Sequence, residues 1–223
     1  MTGAPATPSV LQLPEILPIF PLEGALLLPH GHLPLHIFEP RYRNMIEDAL
    51  GQGRYIGMVQ PRAPGGLSVT DETEVFAIGC CGRIVAFSET EDGRFLISLK
   101  GLCRFRTIEE LPVCQGYRRV SPDFAPFSAD FQALSDDGID RKRMLDAAQT
   151  YLDLKQISCD WAATEAAPTS ALVNTFAMSC PLEAREKQAL LEADTLPQRA
   201  ELLVSFFTMA ALENDSISSA SQH

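Results

Sequence analysis

The chain has 223 residues, 46% of them apolar and 21% charged, with 12 Phe, a composition that excludes intrinsic disorder and supports a sizeable core. Its formal charge is −11, unevenly spread: residues 1–122 carry 11 basic and 13 acidic groups, residues 123–223 carry 7 and 16. Neutralisation of phosphate by Lys and Arg supplies most non-specific nucleic-acid affinity, so this balance argues against binding to duplexes or anionic membranes.

Residues 1–13 (MTGAPATPSVLQL) lack the basic start and continuous apolar run of an export signal and read as a flexible leader. Over residues 14–122, short apolar runs broken by Pro and Gly predict a strand-rich lobe. The expected strands are 16–20, 25–28, 33–38, 55–60, 75–88, 95–108 and 117–120. The Asp92-Gly93 step between the runs GRIVAF and FLISL predicts a hairpin, because Gly accepts the positive φ such turns need. One helix interrupts the lobe: Pro40 stands near its first position, Tyr42, Met45, Ile46 and Ala49 recur at helical spacing, and Gly51 stops it. Its expected place is across an open end of a small barrel.

After Pro122 the texture changes. Residues 123–138 read as a linker, 139–213 as a helical bundle and 214–223 as a disordered polar tail. Four helices are expected, over 141–156, 169–178, 181–192 and 198–212, with apolar faces that include Leu145, Leu152, Leu172, Phe176, Leu203 and Phe207. The apolar stretch 202–212 is too short to span a bilayer, which takes roughly 20 residues. A cytoplasmic location follows as an expectation, and with it six reduced, buried cysteines.

Several residues could carry chemistry. His30, His32 and His36 lie within seven residues, but along an extended chain His32 and His36 stand about 13 Å apart, too far to share an ion. The vicinal pair Cys80-Cys81 falls in an expected strand, where successive side chains face opposite sides, and lacks the spacing used for redox or zinc chemistry. Carboxylate clusters such as Asp136-Asp137 suit solvated surface or helix starts. The concentrated positive charge is Arg104 with Arg106 and Arg118 with Arg119, and salt bridging to the acidic helical half is its expected use. No cofactor or metal is expected.

The segment 17–50 resembles the opening of the amino-terminal domain of Lon proteases: Pro21-Leu22, the run Leu26 to Pro29, Pro34-Leu35, and the step Phe38-Glu39-Pro40-Arg41-Tyr42, typical of free-standing bacterial members. Further on, Glu74-Val75-Phe76-Ala77-Ile78-Gly79 with Gly82-Arg83-Ile84, and Gly101-Leu102-Cys103-Arg104-Phe105-Arg106, are similar to two of the family's strands. Cys180-Pro181-Leu182 through Glu186-Lys187-Gln188-Ala189-Leu190-Leu191-Glu192 is similar to its helical signature, and the ordered set spans residues 14–213. The resemblance implies an α+β fold, a PUA-like six-stranded β pseudo-barrel with one helix followed by a carboxy-terminal α-helical bundle. It also implies a non-catalytic module that captures unfolded or tagged polypeptides, with a full-length Lon-type protease as a further candidate partner. The sequence contains no Gly-Lys dipeptide, which excludes a phosphate-binding GxxxxGK[ST] loop, and nothing in it resembles the Lon peptidase.

On this reading a concave surface between barrel and helical lobe accepts apolar side chains, and strand edges pair with an extended chain. The candidate contact residues are Phe38, Tyr42, Met45, Phe124 and Phe127. The alternative is an RNA-binding PUA-like module using Arg104, Arg106, Arg118 and Arg119. A small hydrolase ranks last, because no nucleophile can be paired with a base.

Overall fold

A computed structural model describes residues 13–62 and 73–220, with side chains described as far as residue 214. The chain divides between Ala133 and Leu134 into two compact units. The first holds β1 (Leu17–Pro21), β2 (His32–Ile37), α1 (Pro40–Gly51), β3 (Tyr55–Val59), β4 (Ile78–Glu89), β5 (Phe95–Cys114) and β6 (Tyr117–Asp123).

The six strands form one sheet in the order β2-β5-β4-β3-β1-β6, and β6 returns to pair with β5 as well. Closure depends on the 20-residue length of β5, six residues beyond the expected end. Residues 95–100 pair with β2 and residues 106–114 pair with β6. The extra length ends in a two-residue turn, Gln115-Gly116, with both φ values positive (48° and 85°), a geometry that matches the twist of the strands it joins. The expected hairpin at Asp92-Gly93 is present, with Gly93 at φ 74° and Thr90 accepting from the Arg94 amide.

Inside the closed sheet, Leu17, Ile19, Val59, Cys81, Leu102, Cys103, Phe105 and Val120 form one buried cluster. The expected strand at 25–28 is instead an irregular loop. A strand sends successive side chains to opposite faces, whereas Leu26, Leu27 and Leu28 are all buried. The Gln60 side chain holds this loop by accepting from the Gly24 amide at 3.1 Å and donating to the Ala25 carbonyl. The loop then docks on Gly101, whose amide donates to Gly31 at 2.9 Å and whose carbonyl accepts from His30 at 3.0 Å. Glycine is required there: a Cβ on residue 101 would lie 2.0 Å from the Leu28 carbonyl oxygen.

Helix α1 begins with Pro40 and buries Tyr42, Met45, Ile46 and Ala49. It packs on β1, β3 and β6, with the Tyr42 ring 4.2 Å from that of Phe20. Its outer turn is tied to the β5–β6 hairpin: Asn44 donates to the Gln115 carbonyl at 3.0 Å, and the Tyr117 hydroxyl donates to Asp48 at 2.7 Å.

The segment read as a linker from 123 is folded into the first unit through Ala133, with a 3-10 helix at Ala125–Phe131. Phe124 and Phe127 join the barrel cluster, and Asp130 binds Arg104. Its loose appearance in sequence comes from Pro and small polar residues spaced between those two anchors.

The second unit contains α2 (Arg141–Leu154), α3 (Trp161–Ala166), α4 (Thr169–Ser179), α5 (Ala184–Glu192) and α6 (Leu196–Ala220). Short α3 was not expected; Asp160 caps its start, accepting from the Ala163 amide at 3.0 Å. The Arg141 guanidinium collects carbonyls at its other end, Thr164 and Ala167 at 3.0 Å and Glu165 at 2.9 Å. Helix α5 starts at Ala184 and not at Pro181, because Glu183 and Glu186 close a capping box there, Glu186 accepting from the Glu183 amide at 2.8 Å. Helix α6 is central. It packs against α2, α4 and α5, and Phe207 stacks on Tyr151 with ring centroids 4.5 Å apart. It runs past the expected end at 212 to Ala220, through most of the segment expected as a disordered tail, since no Gly or Pro stands between residues 198 and 220 to stop it.

Candidate functional site

Among the described residues β2 is the strand with a single neighbour: every other strand pairs with two or more, whereas β2 pairs with β5 alone. Side-chain alternation divides this pairing into two faces. On one face Leu33 opposes Leu99, Leu35 opposes Ile97 and Ile37 opposes Phe95; on the other His32 opposes Lys100, Pro34 opposes Ser98 and His36 opposes Leu96. Leu99 and Ile97 are buried, while Leu33 and Leu35 on the edge strand are only half-buried. The apolar layer therefore runs out at β2, one strand short of full cover.

The outer face continues the apolar surface. Leu96 is 46% exposed, and Phe38, which follows β2 directly, is 60% exposed, its ring 6.2 Å from His36 and edge-on to it. An irregularity in the β4–β5 pairing between Ile84 and Ala86 leaves Val85 47% exposed. On the opposite face Phe87 is 41% exposed and lies 5.1 Å from the Phe95 ring, over which the Arg43 guanidinium sits at 5.3 Å. Phe38 and Leu96 thus stand in solvent on one face, with Val85 exposed at the pairing irregularity and Phe87 exposed on the other face.

Of the five residues expected at a contact surface, only Phe38 is exposed in this structure. Tyr42 and Met45 face the barrel from α1, and Phe124 and Phe127 belong to its core. The reason is physical: the apolar positions of an amphipathic helix are those that meet its own core, so helical spacing selects buried residues. Leu96, Val85 and Phe87 were missed. A usable signal was Pro34, since proline inside an apolar alternating run marks an edge strand.

The four arginines of the alternative reading do not make an open basic patch. Asp130 binds the Arg104 side chain with both oxygens at 2.8–3.2 Å and also accepts from its backbone amide at 2.8 Å, and the pair is buried. Arg118 is buried as well, paired with Glu110 at 2.6 and 2.8 Å and donating to the Thr73 carbonyl at 2.7 Å. These acidic partners belong to the first unit, not to the helical half as expected, because strand pairing brings Glu110 and the 3-10 helix brings Asp130 alongside. Arg119 is half-buried, donating to the Pro112 carbonyl at 3.0 Å, and Arg106 is exposed.

The histidines do not converge: His32 and His36 stand four residues apart along extended β2, and His30 occupies the preceding turn at φ 66°. Among the described residues no group of three His, Cys, Asp or Glu side chains could hold a metal ion. All six cysteines are free; Cys80, Cys81, Cys103 and Cys180 are buried, Cys114 and Cys159 partly so. Burial raises the Cys80 and Cys81 thiols well above their ordinary range, pushes Cys103 up to about 12 and pushes Cys180 up to about 11. Thiols held protonated in this way are poor nucleophiles. No helix among the described residues is long and apolar enough to cross a membrane.

Comparison with known proteins agrees with this fold. Residues 16–208 match the family model of the ATP-dependent protease La (LON) substrate-binding domain. Lon protease 2 of Myxococcus xanthus is 27% identical over 220 residues, covering 92% of this chain and 25% of that protein. Lon protease of Dictyoglomus thermophilum is 34% identical over 101 residues, covering 44% of this chain and 12% of that protein. The chain thus spans a quarter or less of these relatives. A Lon N-terminal domain protein from Xanthomonas campestris superposes with a TM-score of 0.57 at 24% identity, covering 86% of this chain and 98% of that one. The N-terminal domain of a Mycobacterium avium complex Lon protease gives the same TM-score at 15% identity and the same coverage. With its six-stranded sheet, its following helices and a family match over most of its length, the chain belongs to the LON substrate-binding domain family.

Proposed function

We propose that this chain binds polypeptide segments that lack stable structure, through the exposed apolar surface of β2, β5 and β4, with Phe38 and Leu96 at its centre. The observation that carries the reading is the exposure of Phe38 and Leu96 together on the outer face, beside the open edge of β2. Membership of a family described as the substrate-binding domain of an ATP-dependent protease supports it. Unfolded or tagged polypeptides are the substrates on this account, with a Lon-type protease as a further partner and the cytoplasm as the place.

Recognition is the whole of its work in this reading, and bond cleavage belongs elsewhere. The buried, protonated thiols and the separated histidines support a role without catalysis. RNA binding is not favoured, because Arg104 and Arg118 are committed to carboxylates within the same unit.

The test is a fluorescence-anisotropy titration with a permanently unfolded, carboxymethylated protein. The double variant Phe38→Ser with Leu96→Ser weakens binding about tenfold, the loss of one large apolar contact or more. Its thermal melting curve stays close to that of the parent, since both side chains stand in solvent. Undiminished binding by a folded double variant removes this surface from the account.

A further inference from the structure

We infer that the open edge of β2 receives the bound chain as an added strand of the sheet, a mode that rests on the polypeptide-binding reading above and specifies its occupant. That occupant is an extended segment with apolar side chains at alternate positions and neutral or acidic residues between them. Four features of the edge lead to this.

First, among the described residues β2 is the strand that has one neighbour over its whole length. Strands β1, β3, β4, β5 and β6 each pair with two or more, β4 beyond Arg83 having β5 alone, so β2 offers a complete strand edge with backbone groups left to pair. Its six residues match the length of a short added strand, about 20 Å at roughly 3.3 Å per residue.

Second, the edge is unfinished in its side chains. Leu33 and Leu35 share a face with the buried Leu99 and Ile97, yet remain half-buried, as no further strand among the described residues pairs beyond them. A neighbouring strand with apolar residues on that face completes the layer. On the other face the same strand lies beside Pro34 and His36, within one row of Leu96, and ends near Phe38.

Third, Pro34 sits mid-strand. Proline has no amide hydrogen and is confined to edges, where it blunts uncontrolled pairing between sheets. Here it removes one donor from a six-residue edge, so an added strand is held by few backbone bonds. Backbone pairing of this kind reads little sequence, and a short, interrupted edge gives weak and tolerant binding, as capture of varied chains requires.

Fourth, the charges select against basic segments. The outer rows across β2, β5 and β4 are His32–Lys100–Arg83, Pro34–Ser98–Ala86 and His36–Leu96–Ser88. They contain a lysine, an arginine and two imidazoles and no carboxylate, so neutral or acidic residues are favoured opposite them.

The experiment uses the intact chain and synthetic peptides. A labelled ten-residue peptide alternating valine with serine, with one glutamate among the serines, is titrated beside two versions N-methylated either on every valine or on every other residue. Amides of alternate residues point to opposite sides of a strand, so only one methylated set faces β2. The plain peptide binds saturably, one methylated version binds about tenfold or more weakly, and the other binds as the plain one does. Equal binding by all three, or equal loss by both methylated versions, overturns the added-strand mode. So does a dimer, seen by sedimentation, that excess peptide fails to dissociate, because a second copy then occupies the edge. If the unfolded protein binds while the methylated versions match the plain peptide, the mode alone fails. If neither the peptide nor the unfolded protein binds, the polypeptide-binding reading itself has failed and the mode falls with it.

Discussion

Asp130 shows how much of a fold can rest on one side chain. Its carboxylate satisfies the backbone amide and guanidinium of Arg104 together, in a pair almost fully withdrawn from solvent. Replacing Asp130 by Ala leaves a buried guanidinium without its counter-charge, which costs about 3–5 kcal/mol. Urea denaturation of the D130A variant checks this, and a midpoint near that of the parent contradicts it. The cysteines give a second residue-scale test. In the native protein, thiol titration with a disulfide reagent modifies Cys114 and Cys159 first, and the four buried thiols only as the chain unfolds. They also set a pH dependence. Folded Cys180 and Cys103 lose their protons at about 11 and about 12, whereas unfolded thiols do so at about 8.5. The stability they contribute is full below about pH 8.5 and is lost as the pH rises toward their folded values. Urea midpoints measured from pH 7 to 10 therefore fall, and Cys103→Ala reduces the slope; identical slopes for parent and variant contradict the assignment.

At the scale of elements, the readable parts were those with a strong period or an unambiguous turn. β1, β2, β3, α1 and the hairpin at Asp92-Gly93 follow from alternation, helical spacing and glycine chemistry. The misses share a cause: their conformation is set by distant partners. Residues 25–28 look like a strand until Gln60 and Gly101 are placed beside them, and residues 125–131 look loose until Phe127 and Asp130 find the barrel. The end of β5 was hidden by Pro112, which sits where β5 passes its irregular pairing with β6, between Leu111 and Cys114. The Leu28 carbonyl packed against Gly101 makes this dependence testable. Gly101→Ala places a methyl group into that oxygen and destabilises the protein by about 1–3 kcal/mol, as overpacking does. Retention of the parent's denaturation midpoint argues that the loop docks elsewhere. The contact surface was the least legible element, because an exposed leucine such as Leu96 and a buried one such as Leu99 look alike until pairing assigns them to faces.

For the whole molecule, order mattered more than any single motif. The Pro-Leu steps, the Phe38 to Tyr42 turn into α1 and the helical signature around Glu186 are individually weak, yet their sequence along the chain led to a family that matches residues 16–208. The physical reason is that each feature marks a junction between elements, and a set of junctions in order specifies a topology. What such a pattern leaves open is the ligand, because a binding face is shaped by which strand lacks a neighbour. We propose the whole molecule as a receptor for unstructured polypeptide. Isothermal titration of the intact chain, without nucleotide, with one protein in its native and in its carboxymethylated, unfolded state tests it directly. The expected result is saturable heat from the unfolded form with a negative heat-capacity change, none from the native form, and the polypeptide recovered uncut. Absence of binding to the unfolded form, or recovery of cleaved fragments, contradicts it.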